Sequence, residues 1–214
     1  MHGNQIDVSF FKGVNQEPQD NHLRSVCKSV AEAADRQYSY VLVTTKAIPE
    51  LAKTSRILQP FISPAYLERF PQPTYVLMQN GLNVEVDLYN ALKTAGIDNP
   101  KILSTAVWIG TNLLAPNVVQ HNTYVCTFSP LIILRRHVDL KLKKYQDRVT
   151  LGVYRHMDCT TEMNTPNESA LLQDFGSILE AGGTTLTIVP EIQRMKFAKN
   201  IWNVAFASFA TLTK

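Results

Sequence analysis

The sequence has few of the features that mark secreted, metal-binding or membrane proteins. Three cysteines occur in 214 residues, and none of them stands in a CxxC or other metal-type spacing, so free thiols in a reducing compartment are expected. Residues 1–11 show no basic segment followed by an apolar core, as a secretory signal would. No apolar run approaches the roughly 18 residues needed to span a bilayer. These absences predict a cytoplasmic protein without a membrane segment.

Charge of one sign and the common catalytic motifs are also scarce. The 21 basic and 18 acidic residues leave a net charge of +3, and outside a basic cluster near 135–148 they are scattered, so nucleic acid is not an expected partner. The sequence lacks GxSxG, HExxH and GxxxxGK[ST]. The histidines are dispersed, and none is assigned as a ligand or base: His2, His22, His121, His137 and His156.

Strand-like and helix-like segments alternate through the first half of the chain. The composition, 45% hydrophobic and 18% charged, is typical of a globular protein. Strands are expected at 38–45, 74–79 and 101–109, and helices at 49–58 and 83–95. This order is typical of an α/β fold with a parallel sheet.

Beyond Gly110 the pattern shifts toward further strands and two longer helices. Strands are expected at 118–121, 149–154 and 184–189, and a helix at 167–180. Pro190 is expected to open a long helix that runs to the C-terminus. Four apolar residues recur at helical spacing in that helix and predict a core-facing side: Ile201, Ala205, Phe209 and Leu212.

The segment 123–146 fits this alternation least well. An apolar half at 128–134 precedes a run of basic residues. Three interpretations stay open: a basic surface hairpin or helix, non-native sequence such as a retained intron, and a solvated insertion without function.

Polar side chains follow two of the expected strands. Lys46 ends the first strand and Asn80 ends the second, whereas Thr105 lies within the third and receives little weight. Ligands of open α/β sheets bind outside the carboxyl ends of the strands. Lys46 and Asn80 are therefore candidate ligand contacts, although a solvated surface lysine is the ordinary alternative.

A second pair of polar residues lies on the last helix. Lys199 and Asn203 are four residues apart and so rise from one face of that helix. A lysine ammonium beside an amide suits ketone reduction, because it can stabilise and protonate the oxygen on which negative charge develops. The spacing is weak evidence by itself, since a lysine and an asparagine are equally common on a solvent-exposed helix face.

Three segments in order resemble the ketopantoate reductase family, and especially its fungal members. They are YVLVTTKA from residue 40, MQNGLNVE from residue 78 and IQRMKFAKNIWN from residue 192. The resemblance covers most of 24–122 and 149–214. It implies a Rossmann-type domain that binds NADPH, here 1–189, followed by the start of an all-helical substrate domain at 190–214.

The resemblance also implies roles for four residues. Lys46 matches the lysine that faces cofactor and substrate, and Asn80 matches the asparagine that contacts both near the nicotinamide. Lys199 matches the catalytic lysine that protonates the ketone oxygen. Asn203 matches the asparagine that helps to hold the substrate. The implied substrate is a small 2-keto acid, and the implied pathway is pantothenate biosynthesis.

Four departures from the family pattern qualify that implication. No GxGxxG occurs, although the family uses such a turn to bring its backbone to the cofactor pyrophosphate. Ala207 stands where the family commonly has a further asparagine. The chain stops at Lys214, without the serine and glutamate of the family's helical domain, and 123–146 has no counterpart. These departures indicate a chain truncated at both ends, as a fragment, a partial gene model or a degraded paralogue.

Three functions are compatible with these observations. The first is NADPH-dependent reduction of 2-dehydropantoate, or a related 2-keto acid, to the 2-hydroxy acid. The second is a catalytically inactive remnant or interaction module that binds no cofactor. The third is a related dehydrogenase with another substrate, such as a 3-hydroxy acid, against which the QNG–Glu and Lys–x3–Asn elements argue. The oligomeric state is not predicted.

Overall fold

The computed structural model describes residues 27–115, 118–121 and 147–212. The segment 123–146, for which three interpretations were left open, lies outside the described residues. The strands are β1 (Tyr40–Val43), β2 (Thr74–Leu77), β3 (Ile102–Trp108), β4 (Thr111–Ala115), β5 (Val118–His121), β6 (Arg148–Val153) and β7 (Thr185–Ile188). The helices are α1 (Val30–Ala33), α2 (Thr54–Ile57), α3 (Gln59–Ile62), α4 (Pro64–Leu67), α5 (Val86–Thr94), α6 (Pro166–Ala181) and α7 (Ile192–Leu212).

The main sheet has five strands in the order β1-β2-β3-β6-β7. The pairs β1–β2, β2–β3 and β6–β7 are parallel. The Rossmann-type α/β fold is confirmed, but the all-parallel pairing expected from the alternation is not, because β3 and β6 are antiparallel. A parallel neighbour requires a crossover connection, whereas an antiparallel one does not. The chain leaves β3 directly into the separate β4–β5 hairpin.

The sheet is covered on both faces, which explains why its central strands read as continuous apolar runs. Tyr75 and Leu77 of β2 enter one buried cluster together with residues of α3, α4 and α5. Val76 between them enters the other, with Leu172 and Phe175 of α6. Successive side chains of a strand point to opposite faces. One short strand therefore anchors both layers of the fold.

Helix ends follow local chemistry where the sequence supplies it. Oγ1 of Thr165 accepts the backbone N–H of Glu168, and the Glu168 carboxylate accepts the backbone N–H of Thr165, which forms a capping box at the start of α6. Pro166 occupies the first helical position. The helix expected at 49–58 is shorter, because residues 48–52 form a turn closed by the Ile48–Ala52 bridge, and α2 begins only at Thr54.

The last helix begins as expected but does not bury the predicted face. α7 packs against β3 and β6 through its first turns, where Ile192 and Lys196 are buried. Farther along, Ile201 is 56% exposed and Phe209 and Leu212 are more exposed still. The prediction of a core-facing side from the spacing of these residues is therefore wrong for the described part of the chain. Periodicity shows that a helix is amphipathic, but it does not show which surface covers it.

Among the described residues, none of the helices combines the length with the apolar run that crossing a bilayer requires. The division into domains at 1–189 and 190–214 stays a prediction.

Gly152 of β6 lies close to the first turn of α7. A Cβ built there would lie 2.9 Å from Cβ of Ile192 and 2.9 Å from the carbonyl oxygen of Val189. We expect Gly152→Ala to lower the free energy of unfolding by about 1–3 kcal/mol, as overpacking does. Urea unfolding followed by circular dichroism measures this change.

Gly182→Ala is the matched control, because Gly182 has a φ of −78° and its nearest contact for an added Cβ is 3.3 Å. The control is expected to lose less stability than Gly152→Ala. Equal losses in the two variants would show that the approach of β6 to α7 is not tight.

Candidate functional site

A small pocket opens where α7 passes the carboxyl ends of β2 and β3. Such ends are the usual ligand-binding edge of an open α/β sheet. The pocket takes residues from the loop after β2, from β3 and from one face of α7. They are Gln79, Asn80, Gly81, Thr105, Ala106, Lys196, Lys199, Asn200 and Asn203.

Lys199 and Asn80 are in direct contact across this pocket. Nζ of Lys199 donates to Oδ1 of Asn80 at 2.6 Å, although the residues are 119 positions apart in the chain. The same Nζ lies 5.7 Å from the ring centroid of Trp108, a cation–π distance. Lys199 is partly buried. Burial, and next the positive charge of Lys196, lower the pKa of Lys199 below the ordinary lysine value.

The turn that carries Asn80 is held by buried hydrogen bonds. Gln79 is 3% exposed, and its Nε2 donates to the carbonyl oxygen and to Oγ1 of Thr45, both at 3.1 Å. Oγ1 of Thr54 donates to Oε1 of Gln79 at 3.3 Å. Gly81 follows with a φ of +109°, which side chains rarely tolerate. The ends of β1 and β2 are thereby tied together beneath Asn80.

A buried ion pair lies beside the pocket. Lys196 of α7 is bonded to Oε1 of Glu85, which stands just before α5, and its Nζ also donates to Oγ of Ser104 at 3.1 Å. Ser104 of β3 in turn donates to the same Glu85 oxygen. Glu85 and Ser104 are fully buried and Lys196 is 4% exposed. Burial is the main cause that lowers the pKa of Lys196, and Glu85 opposes it.

Three of the four residues selected from the sequence line the pocket, and the fourth does not. Asn80, Lys199 and Asn203 line one pocket, as candidate neighbours should. Lys46 follows β1 but is exposed and does not line that pocket. Thr105 was given little weight, yet it does line it, with Oγ1 donating to the carbonyl oxygen of Leu77 at 3.1 Å.

Sequence reasoning did not select the ion pair. Glu85 and Lys196 both stood inside the segments that carried the family resemblance, but neither received a role. A signal was present, because Lys196 is three residues before Lys199 and so shares its side of the helix. The pairing itself joins residues 111 positions apart, and such contacts are not visible in a single sequence.

Other sites in the described chain are weaker candidates. A larger groove of about 560 Å³ lies between α2, α5 and the loop after β6, and it is mostly apolar. Asp87 at its rim already accepts the backbone N–H of Ser55 at 2.8 Å. No group of three or more histidine, cysteine, aspartate or glutamate residues that could hold a metal ion occurs within 27–115, 118–121 and 147–212. Convergent polar groups therefore favour the smaller pocket over the larger groove.

Comparisons with known proteins agree with this picture. The family model for ketopantoate reductase PanE/ApbA matches residues 4–129, more than half of the chain. A crystal structure of 2-dehydropantoate 2-reductase from Geobacter metallireducens GS-15 is similar over 82% of this chain, with 16% identity and a TM-score of 0.51. A candidate ketopantoate reductase from Ralstonia solanacearum MolK2 is similar over 87%, with 16% identity and a TM-score of 0.52.

Those two solved chains are considerably longer than this one. The similarity covers 43% of the Geobacter chain and 50% of the Ralstonia chain. At 16% identity the likeness shows the fold. Among curated proteins, no sequence is significantly similar to this chain.

The buried Glu85–Lys196 ion pair is expected to affect the free energy of unfolding. Lys196→Met leaves the Glu85 carboxylate buried without its cation, and we expect it to lower the free energy of unfolding by about 3–5 kcal/mol. Glu85→Leu combined with Lys196→Met removes both charges and is expected to recover most of that loss. Urea unfolding of both single variants and of the double variant measures the coupling. Additive losses would contradict a direct interaction between the two side chains.

Proposed function

The chain belongs to the ketopantoate reductase family, and from this premise we propose that it serves NADPH-dependent reduction of a 2-keto acid to the 2-hydroxy acid. 2-Dehydropantoate is the proposed substrate, and pantothenate biosynthesis is the proposed setting. The observation that carries the proposal is the contact between Lys199 and Asn80 in a pocket that Asn203 also lines. The contact sets a proton donor beside an amide at the ligand-binding edge of the sheet.

The described residues suit one end of the proposed cofactor. Asn80 and Gly81 line the pocket after the end of β2, at the edge of an open α/β sheet where ligands bind. The proposal assigns the nicotinamide end to this turn, with Asn80 as its contact. Lys46, exposed at the end of β1, is proposed to meet a phosphate or ribose farther along the cofactor.

The other end of the cofactor has no such match in this sequence. The pyrophosphate of a dinucleotide is normally received by a glycine-rich turn at a helix N-terminus. No GxGxxG is present in the 214 residues. The proposal therefore assigns to this chain the proton-donating, nicotinamide-facing part of the site, and it assigns no pyrophosphate contact.

The proposed chemistry divides between the cofactor and the chain. NADPH, when bound, supplies a hydride to the carbonyl carbon. Lys199 transfers a proton from Nζ to the ketone oxygen as its negative charge grows, so that C=O becomes CH–OH. Asn203, one turn later on the same face of α7, orients the substrate by hydrogen bonds. Asn80 accepts from Lys199 and directs its ammonium into the pocket.

The lowered pKa of Lys199 supports this role. A general acid works best when its pKa lies near the working pH, because proton transfer is then least uphill. An exposed lysine, whose ordinary pKa is 10.5, holds its proton too tightly for that. Partial burial and the neighbouring cation of Lys196 move Lys199 in the favourable direction.

A non-catalytic module is the second candidate, and one observation favours it: the sequence holds no glycine-rich GxGxxG turn. A module of this kind would keep the fold without binding the cofactor. Cofactor binding separates the two candidates directly.

The first functional prediction concerns cofactor affinity. We expect the 214-residue chain to bind NADPH weakly, because its sequence holds no GxGxxG turn for the pyrophosphate. A version extended at its N-terminus by an added strand–GxGxxG–helix unit is expected to bind roughly tenfold more tightly or better, a gain of about 1.4 kcal/mol. Fluorescence titration of the bound nicotinamide measures both affinities. Lys46→Met in the extended version is expected to weaken binding.

Binding by neither version would favour the non-catalytic module. Equal affinities in the two versions would show that residues of this chain suffice to hold the cofactor, and the expectation that a glycine-rich turn is needed for tight binding would be wrong.

The second functional prediction concerns Lys199 in whichever version turns over. Lys199→Met is expected to lower kcat by about 10²–10⁴-fold, the usual contribution of a general acid. In the unchanged enzyme, kcat should fall as the pH rises through the pKa of Lys199, since only the ammonium form donates. Because that pKa is lowered, the fall should begin below the pH at which an ordinary lysine deprotonates. Steady-state rates of NADPH oxidation across the pH range measure both effects.

Lys101→Met is the matched control, because Lys101 is exposed just before the amino end of β3. It should leave kcat and its pH profile unchanged. A similar loss in the two variants, or a retained pH-dependent fall in Lys199→Met, would exclude Lys199 as the proton donor.

A further inference from the structure

We propose that the buried Glu85–Lys196 pair, together with Ser104, is a positioning device for Lys199: it locks α7 to the sheet and sets a fixed cation one turn below the proton donor. The part of this inference that concerns catalysis rests on the proposed function. The part that concerns Lys199 itself is independent of any turnover.

Glu85, Ser104 and Lys196 belong to the three elements that build the pocket. Glu85 lies five residues after Asn80 on the same connection, and Ser104 is adjacent to Thr105 in β3. Lys196 is three residues before Lys199 on α7 and itself lines the pocket. The hydrogen bonds among them span 19, 92 and 111 positions of sequence. One buried cluster thus joins every element that contributes to the site.

Directional bonds explain why charged groups occupy this place. Apolar side chains of similar volume would fill the same space without the desolvation cost of two ions. They would, however, allow α7 to rotate or slide by a fraction of a turn, because dispersion contacts have little directional preference. Nζ of Lys196 donates to both Glu85 and Ser104, and each of these bonds depends on direction as well as distance. That arrangement leaves Lys199 facing Asn80.

The charge of Lys196 also acts on Lys199. Lys196 is the charged group that lowers the pKa of Lys199 beyond the effect of burial. Asn80 and Trp108, which face Lys199 from the other elements, are uncharged. Arg148 of β6 is a further cation in contact with Trp108, since its guanidinium lies 5.8 Å from the centroid of that ring. A buried ammonium cannot swing away from its neighbour as an exposed lysine can, so its effect is constant.

One oxygen of the cluster is buried without a hydrogen bond from any described residue, which costs free energy of folding. Oε2 of Glu85 is buried with no hydrogen-bond partner among the described residues. A carboxylate selected only for stability would be expected to satisfy both oxygens. The unpaired oxygen fits a pair whose geometry is governed by Lys196 and Ser104.

The test measures the titration of Lys199 in the 214-residue chain without any assay of activity. Each lysine is acetylated by a trace of acetic anhydride across a pH series, and the extent at each site is read by peptide mass spectrometry. In the unchanged chain, Lys199 is expected to titrate below the ordinary lysine value. Of the two charges that Glu85→Leu with Lys196→Met removes, the ammonium of Lys196 is the one that lowers the pKa of Lys199, so that pKa is expected to rise by roughly half a pH unit or more.

Two further variants make the result specific. Lys196→Arg keeps the cation and should keep the pKa of Lys199 low. Arg194→Met removes an exposed cation from the same helix, where the Arg194 side chain is 68% exposed, and should change the pKa of Lys199 little. Circular dichroism and urea unfolding show that each variant is folded. Ser104→Ala, which removes only a hydroxyl, replaces the double variant if that one does not fold, and it should also raise the pKa of Lys199, because it loosens the hold on Lys196.

Two results overturn the inference. One is a Lys199 that titrates at the ordinary lysine value in the unchanged chain. The other is a Lys199 whose pKa is the same in the unchanged chain and in the folded double variant, or in Ser104→Ala where the double variant does not fold. A chain with the expected titration but no reductase activity would contradict the proposed function and leave this inference standing, whereas an active chain with an unshifted Lys199 would do the reverse.

Discussion

The site depends on how α7 is held against the carboxyl ends of β2 and β3. An isolated helix with exposed apolar residues along its second half has no reason to lie at one angle rather than another. The bonds of Lys196 to Glu85 and Ser104 supply that reason, and the close approach of Gly152 to Ile192 supplies a second contact farther down. Lys199 meets Asn80 because these contacts set both the rotation and the height of the helix.

The sheet provides the fixed platform on which this helix rests. Its central strands are buried on both faces, and Val76 and Leu77 of β2 lie in different clusters. The antiparallel strand β6 widens the sheet and gives α7 a second strand to pack on. The same strand carries Gly152 where a side chain would push the helix away. The departure from an all-parallel sheet is therefore part of what builds the site.

The electrostatic character of the pocket follows from burial more than from the number of charges. The chain as a whole carries a net charge of only +3. Two of its lysines, Lys196 and Lys199, are nevertheless placed one turn apart on the buried side of α7, and both have a lowered pKa. Water would screen such a pair at the surface. In the pocket the repulsion persists, because one of the two is held by Glu85.

The sequence by itself determined three strands of the sheet and three residues that line the candidate pocket. β-branched and aromatic runs predicted β1, β2 and β3 within about two residues, because strand propensity is a local property. Asn80, Lys199 and Asn203 could be selected because each lies at a strand end or at helical spacing from another. The tertiary structure alone decided the direction of β6, the exposure of Ile201 and Lys46, the entry of Thr105 into the pocket and the pairing of Glu85 with Lys196. Each of these depends on contacts between residues far apart in the chain, and side chains of one sequence segment carry no record of which distant surface will cover them.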